Sequence, residues 1–298
     1  MSFSFPLMGE FFALATAITW ALAVILFTKS GETVHPLALT LFNCILGFGF
    51  VHILLTVTGM AIWPAVSSRD AWLLIISGAL GIAISDWLFF QSLNMIGAGF
   101  SAIIDCLYSP FIIFMSVFWL KERLGLVQIC GVALIVLAVG TATHARGPRA
   151  AHSKQMMVGV IIGIAAIAFL AVSIVMAKML LTRIPFLQVA QIRLFGGLIV
   201  MLPMIMFHPR RHRVLSSLLI KRGWIYTLSG SLIGTCLAML MWLAGMKYTQ
   251  ASIAAALNQT SNLFIFVFAA WLLKEPIDQR KTIAIVLGAV GSFMVTFG

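Results

Sequence analysis

Residues 119–127 read WLKERLGLV and residues 271–280 read WLLKEPIDQR. Each stretch sets a Lys-Glu pair directly behind a long apolar run, and Glu122 and Glu275 lie 153 positions apart in a chain of 298 residues with only eight acidic ones. Sliding the second half over the first extends the match outward: Lys29, Pro36 and Gly47 meet Lys178, Pro185 and Gly196 at a shift of 149. The difference of four fits a longer basic connection, HPRRHRVLSSLLIKRG, where the first half has TGMAIWPAVSSRD. Each copy holds five apolar runs. An odd number of crossings makes the second copy enter the membrane from the opposite side, the arrangement from which alternating-access carriers are commonly built.

Composition requires a membrane. The chain is 62% hydrophobic and 9% charged, with a mean hydropathy of +1.10, whereas soluble domains are roughly 25% charged. Ten apolar spans are read at 9–28, 35–57, 71–92, 98–120, 124–142, 157–178, 185–207, 224–244, 249–273 and 279–297. Each is near the ~20 residues a helix needs to cross hydrocarbon. The runs are apolar on both parities, which argues against barrel strands. Gly and Ala within GALGIAISDW and GVIIGIAAIAF would let helices approach closely. The first span, without a basic leader or cleavage signature, reads as a retained helix. The expected fold is therefore an all-α polytopic membrane protein with ten transmembrane helices in two inverted five-helix repeats. Residues 1–142 form the first repeat, 143–156 a connecting loop, and 157–298 the second.

The four cysteines, Cys44, Cys106, Cys130 and Cys236, fall inside spans without close pairing. Neither a disulfide framework nor a metal site is expected. The net charge of +11 gathers at helix ends, where lipid headgroups and topology explain it without nucleic acid. With the N-terminus inside, the cytoplasmic connections hold six basic residues, Arg69, Lys121, Arg123, Lys178, Arg183 and Lys247, against twelve on the other side. The charge rule therefore turns both termini away from the cytoplasm.

Polar groups deep in spans carry the functional signal. Asp86 in AISDWLFFQSL and Asp105 in SAIIDCLYSPF are the acids away from span ends. An isolated charge at mid-bilayer costs at least about 2.5 kcal/mol, so each should face a cavity, find a partner or stay protonated. A proton or another coupling cation could use them; a structural hydrogen bond is the competing account. Arg193, in FLQVAQIRLFGG, either snorkels or is a buried cation that meets an anionic group on a substrate or pairs with an Asp, with Gln191 on a different helix face. Asn258, Gln259, Ser261 and Asn262 form the densest polar cluster; Asn258 matches Asp105 at the 153 shift, and Asn258 and Asn262 share a face of a regular helix. Pro110 should kink or open the fourth helix. Trp20, Trp87, Tyr108 and Trp242 lie near these positions as candidate cavity walls, while Trp119 and Trp271 suit an interfacial belt. No phosphate-binding loop, HExxH, GxSxG or dinucleotide fingerprint occurs.

These features resemble the EamA-type members of the drug/metabolite transporter superfamily. The likeness covers essentially the whole chain and rests on "ITWALAVILFTKSGETVHPLAL", the pair "SLNMIGAGFSAIIDCLYSPFIIFMSVFWLKERLGLVQICGVALIVLAVG" and "MKYTQASIAAALNQTSNLFIFVFAAWLLKEPIDQRKTIAIVLGAV", and the Arg in "LQVAQIRLFGG". The resemblance implies a ten-helix secondary carrier in a bacterial inner membrane, with both termini cytoplasmic, against the Lys/Arg count. It places Glu122 and Glu275 in the segment after the fourth helix of each repeat. It makes Pro110 the usual proline of that helix, with Leu263 in its place in the second copy, and matches Arg193 to an Arg whose first-copy place holds Asn43 and Cys44. The expected activity is secondary transport, as an exporter, of a small organic metabolite such as an amino acid; multidrug efflux is the alternative, and a scaffold or intramembrane enzyme the alternative of another class. No cofactor is expected. The oligomeric state stays open between a single chain and a homodimer. The two glutamates read as markers of the turn into the fifth helix.

Overall fold

A computed structural model describes residues 8–63, 66–120, 125–143, 150–181, 183–248, 254, 257–276 and 278–297. Within them each of the ten apolar runs contains α-helix. In chain order the helices are α1 (Met8–Ser30), α2 (Pro36–Val57), α3 (Ser68–Ile96), α4 (Ala98–Asp105), α5 (Tyr108–Leu120), α6 (Leu126–Thr143), α7 (Ala150–Leu181), α8 (Phe186–Met206), α9 (Arg211–Ser216), α10 (Lys221–Tyr248), α11 (Ser261–Leu272) and α12 (Gln279–Phe297). Among the described residues six helices, α1, α2, α3, α8, α10 and the Lys154–Leu181 portion of α7, are each long and apolar enough to cross a membrane.

Local chemistry sets the helix ends. Pro36 opens α2 behind His35, whose Nδ1 accepts the Leu37 N–H at 3.3 Å. A proline is favoured there because its missing N–H would have no intrahelical partner. Ser67 caps α3 by accepting the Asp70 N–H at 3.2 Å. Gly97, at φ 81°, turns the chain from α3 into α4, a conformation that L side chains rarely adopt.

The packing is that of a protein in lipid. Large apolar side chains point outward, Phe11 at 68% and Leu126 at 80% exposure, while Asn43, Gln191, Arg193 and Asn262 are buried. Hydrocarbon accepts the first set, and the bundle interior satisfies the second. The inner bundle sets α1 against α10 and α7 against α3, with α2 against α8 and α4 against α11. Serines join these pairs. Ser30 and Thr227 hydroxyls meet at 2.6 Å between α1 and α10, and Ser77 and Ser173 exchange hydroxyl-to-carbonyl bonds of 2.7 Å between α3 and α7. The last helices of each half, α6 and α12, pack on each other, where Gly131 and Gly291 bring their backbones together.

Two helices are irregular where the sequence predicts regular spans. α3 passes through a π-helical segment at Ala79–Ser85, and α10 through one at Leu232–Ala238, 153 positions later. Such segments widen the helix by one residue per turn and release main-chain groups from the i→i−4 ladder. The fourth span is broken. α4 stops at Asp105, Cys106 and Leu107 form a turn, and α5 begins at Tyr108. Pro110, expected to kink a helix, instead stands in the first turn of α5, because its ring and missing N–H act on the carbonyl four residues earlier, at Cys106. A second break falls at Thr260, before α11, although Leu263 stands in the proline's place. There the Thr260 hydroxyl donates to the Leu257 carbonyl at 2.6 Å, an alternative to the helical ladder.

Candidate functional site

The π segments and the helix breaks surround one cavity of about 170 Å3. α3 supplies Gly81, Ile82, Ser85, Asp86 and Phe89; α10 supplies Gly234, Thr235, Ala238, Met239 and Trp242. These are the same five positions at a shift of 153, to which α10 adds Leu243 without a lining counterpart on α3. α1 adds Thr16 and Trp20, α7 adds Ile167, Leu170 and Ile174, and α8 adds Ala190 and Arg193. Asp105 is the last residue of α4 and Tyr108 the first of α5, while Asn258 and Gln259 immediately precede the Thr260 turn. Chain breaks thus aim polar side chains inward without a long side chain having to bend.

The charged groups are held apart. Arg193 is 6% exposed, and its Nη2 donates to Ser173 Oγ at 3.0 Å. Ser173 is itself fixed by its bond to the Ser77 carbonyl. Arg193 Nε has no hydrogen-bond partner among the described residues. Asp86 is near enough to Arg193 for their charges to interact, yet the two form no ion pair; among the described residues that contact is made by Lys29 and Glu32 at 2.8 Å. Neither Asp86 nor Asp105 has a hydrogen bond or ion pair among the described residues, and both line the cavity. The Tyr108 hydroxyl and Asn258 Oδ1 are also buried without hydrogen-bond partners among the described residues. An unmet buried donor or acceptor costs about 1–3 kcal/mol, more if charged, so this set of groups suits a polar ligand. Trp20, Phe89 and Trp242 give the cavity an aromatic wall, with the Trp20 and Phe89 rings 6.1 Å apart.

The two breaks are tied to each other. Gln259 Nε2 donates to Ser109 Oγ at 2.9 Å; Asn262 Nδ2 donates to Gln259 Oε1 at 2.7 Å and approaches Cys106 Sγ at 3.5 Å. The expectation that Asn258 and Asn262 share one helix face is corrected here. The Thr260 turn interrupts the helix between them, so Asn258 reaches the cavity while Asn262 serves the bracket. Gln191 also lies elsewhere, its Nε2 3.2 Å from His52 Nδ1, and Trp87 is a partly buried packing residue outside the cavity lining. Of the residues singled out from sequence, Asp86, Asp105, Arg193, Asn258, Gln259, Tyr108, Trp20 and Trp242 come together around the cavity.

Glu275 has a role beyond marking a turn. Its carboxylate accepts the Ala98 and Gly99 N–H groups at 2.9 and 3.1 Å, capping α4 from the opposite half of the chain. Glu122 lies outside the described residues. Sequence reasoning missed Thr16, Phe89, Ser173 and both π segments; the one available signal was Gly81 and Gly234 recurring at the 153 shift. Among the described residues no group of three His, Cys, Asp or Glu side chains is placed to hold a metal ion. Among the described residues the lining contains no His and no Cys. The arrangement is chemically suited to a charged solute, and among the described residues its lining presents no hydroxyl or thiol beside an imidazole base.

Known proteins agree with a carrier. A crystal structure 18% identical in sequence superposes with a TM-score of 0.67, covering 96% of this chain and 95% of that one, and so shares the fold. An uncharacterized transporter of Haemophilus influenzae is 28% identical over 200 residues, 67% of this chain and 65% of that protein. An S-adenosylmethionine uptake transporter of Rickettsia felis is 28% identical over 117 residues, 39% of this chain and 37% of that protein. The alignments thus span under two thirds of these relatives' lengths. The profile of the EamA-like transporter family matches residues 7–143 and again 157–297, on both sides of the central connection. Long apolar helices, an internal polar cavity and a profile match to nearly the whole chain converge on one placement: this multi-pass membrane protein belongs to the EamA-like transporter family, whose members are carriers and not enzymes.

Proposed function

We propose that the chain is a secondary active exporter of a small organic metabolite with an amino-acid-like pair of charges. One observation carries the reading: Asp86, Asp105 and Arg193 reach a single cavity without forming ion pairs with one another. Arg193 takes the anionic end of the solute, one aspartate takes its ammonium group, and Asn258 takes a polar substituent. The second aspartate carries a proton, which couples transport to a pH gradient. Tyr108 donates to the solute through its unpartnered hydroxyl, and Trp20 and Trp242 close the apolar side.

In the same reading the ten helical segments form two five-helix copies, 1–142 and 157–298, inverted across the membrane and joined by 143–156. Alternate exposure follows from rocking one copy against the other around the fixed cavity. The match to a relative named for uptake of S-adenosylmethionine, a solute with an amino-acid end, supports the charge pairing. That name speaks for uptake, so direction must be measured both ways.

Flux of a panel of amino acids and related zwitterions into and out of proteoliposomes, with and without a pH gradient, tests the proposal. Saturable flux that rises with the gradient is expected. Flux indifferent to the gradient with both aspartates intact would sink proton coupling. Multidrug efflux draws on the aromatic wall, and dependence on Arg193 separates the two readings, since a cationic drug has no anionic group for it. Thiol accessibility of Arg211→Cys from either side decides between the family's cytoplasmic termini and the opposite orientation favoured by the Lys/Arg count.

A further inference from the structure

The connection between α8 and α10 carries a dense positive surface outside the cavity lining. Arg210, Arg211, Arg213, Lys221 and Arg222 are all exposed, and none is ion-paired among the described residues. From Phe207 to Trp224 the sequence has no acidic residue. Interleaved with these cations are exposed apolar side chains: Phe207 and Leu219 are more than 70% exposed, and Leu215 and Ile220 are also on the outside.

This segment is fixed to the protein. Val214 is buried, Ser217 Oγ accepts the His35 N–H at 3.0 Å, Gly223 lies against Thr33, and the His35 and His208 rings sit 6.1 Å apart. Partial burial, and after it the neighbouring His208, holds His35 below the ordinary imidazole range. The surface charge at neutral pH therefore rests on arginine and lysine. The segment joins the ends of two membrane-length helices, which sets it at headgroup depth, and exposed Trp224 and Tyr226 follow in the first turns of α10. Its counterpart between α2 and α3 contrasts with it: from Thr58 to Asp70 there is one basic residue, Arg69, and it stands beside the acidic Asp70.

We propose that residues 207–226 form an interfacial docking surface for anionic phospholipid. The guanidinium and ammonium groups meet the lipid phosphates, while Phe207, Leu215, Leu219 and Ile220 enter the acyl boundary, the combination by which basic amphipathic segments hold to acidic membranes. A soluble anion would satisfy the cations and leave the apolar residues in water. A lipid satisfies both.

Spin-label resonance tests this on the full-length protein in phosphatidylcholine bilayers, comparing association of spin-labelled phosphatidylglycerol with that of spin-labelled phosphatidylcholine. The native chain should prefer the anionic lipid by about fivefold, the factor expected from one well-placed cation at low salt. Arg210→Gln with Arg211→Gln and Arg213→Gln should bring the ratio near parity, and the matching triple change to Lys should keep it. The charge-matched set Arg69→Gln, Arg183→Gln and Lys247→Gln should leave it unchanged. Survival of the preference in the first triple variant overturns the proposal, as does an equal fall in the charge-matched set, which would reduce the effect to net charge. Displacement by millimolar inorganic phosphate also overturns it, by showing a soluble-anion site.

Discussion

α3 and α10 have nearly the same backbone and different chemistry. Both enter the cavity through a seven-residue π segment, and both present to it the first, second, fifth, sixth and ninth residues of the stretch that begins at their cavity glycine: Gly81, Ile82, Ser85, Asp86 and Phe89 in one, Gly234, Thr235, Ala238, Met239 and Trp242 in the other. What differs is charge. Asp86 stands where the other helix has Met239, and Asp105 where the other half has Asn258. The asymmetry is repaid in the opposite sense at Arg193, whose counterpart Cys44 is an apolar core residue. The main chain supplies a paired frame, and substitutions at a few fixed depths give the cavity two acids from the first half of the chain and one base from the second. A ligand with two unlike ends is oriented by such a cavity, whereas an evenly charged one would bind it in either direction.

Removing the basic side of this contrast should have the largest effect. Arg193→Gln leaves two unpaired carboxylates in a space with no fixed cation, and loss of one member of a buried charged set costs roughly 2–5 kcal/mol. Proteoliposome flux of a zwitterionic substrate should fall about 100-fold or more, while an uncharged analogue loses little. Equal loss for both would make Arg193 a structural residue.

Next is the acidic side. Asp86→Met should lower flux by about tenfold, the scale of one hydrogen bond to a charged group. Met239→Asp added to it moves the carboxylate to the matched position on α10. If the frame is truly paired, the exchanged protein regains part of the flux, with a changed preference for substrate length. A double variant no better than Asp86→Met would show that the two sites differ in geometry as well as charge.

A smaller effect separates the two glycines. A Cβ at Gly81 would press on the Ser173 hydroxyl and reach within 3.2 Å of Arg193 Nη2; one at Gly234 would meet Ala23 Cβ at 2.9 Å and the Phe27 ring at 3.0 Å. Both substitutions overpack a tight crossing, at about 1–3 kcal/mol. Gly81→Ala, which disturbs the serine that holds Arg193, should raise the substrate KM severalfold. Gly234→Ala should lower thermal stability by a similar free energy with KM near the native value. The reverse pattern would remove Ser173 from the support of Arg193.

These glycines mark the boundary of what sequence could supply. The ten apolar runs are readable because length and hydropathy are summed over some twenty residues, and the structure puts helix in all of them. The depth of Asp86, Asp105 and Arg193 is readable for the same reason. Direction is harder, since a helix apolar on every face gives no hydrophobic stripe from which to tell inside from outside. Gln191 and Arg193 are equally deep, yet one turns to His52 and the other to the cavity. Ser173 is one hydroxyl in an apolar run. Its meaning depends on Ser77, almost a hundred residues away, which no local pattern connects to it. A π segment changes hydrogen-bond register without changing composition, so the spacing of the lining residues could not be inferred from a 3.6-residue period.

The smallest effect concerns the two helix breaks. The first is followed by Pro110 and the second by Leu263, each the third residue of its helix, since Tyr108 and Ser261 begin α5 and α11 153 positions apart. Proline within a helix costs about 3 kcal/mol because it forfeits a hydrogen bond and strikes the preceding turn. In a first turn most of that penalty vanishes, as the N–H groups there have no α-helical acceptor. Among the described residues the Leu263 N–H donates to the Thr260 carbonyl alone, three residues back, at 3.1 Å. Its backbone already occupies the place that holds a proline in α5. Leu263→Pro should therefore change stability by less than about 1 kcal/mol beyond the loss of leucine packing, with Leu263→Ala as the packing control, and should leave flux near the native level. A loss approaching the interior-helix value would mean that Thr260 holds a flexible break, which needs the 263 N–H to close during transport. The two breaks would then differ in kind: a fixed one in the half that carries proline, and a working hinge in the half that does not.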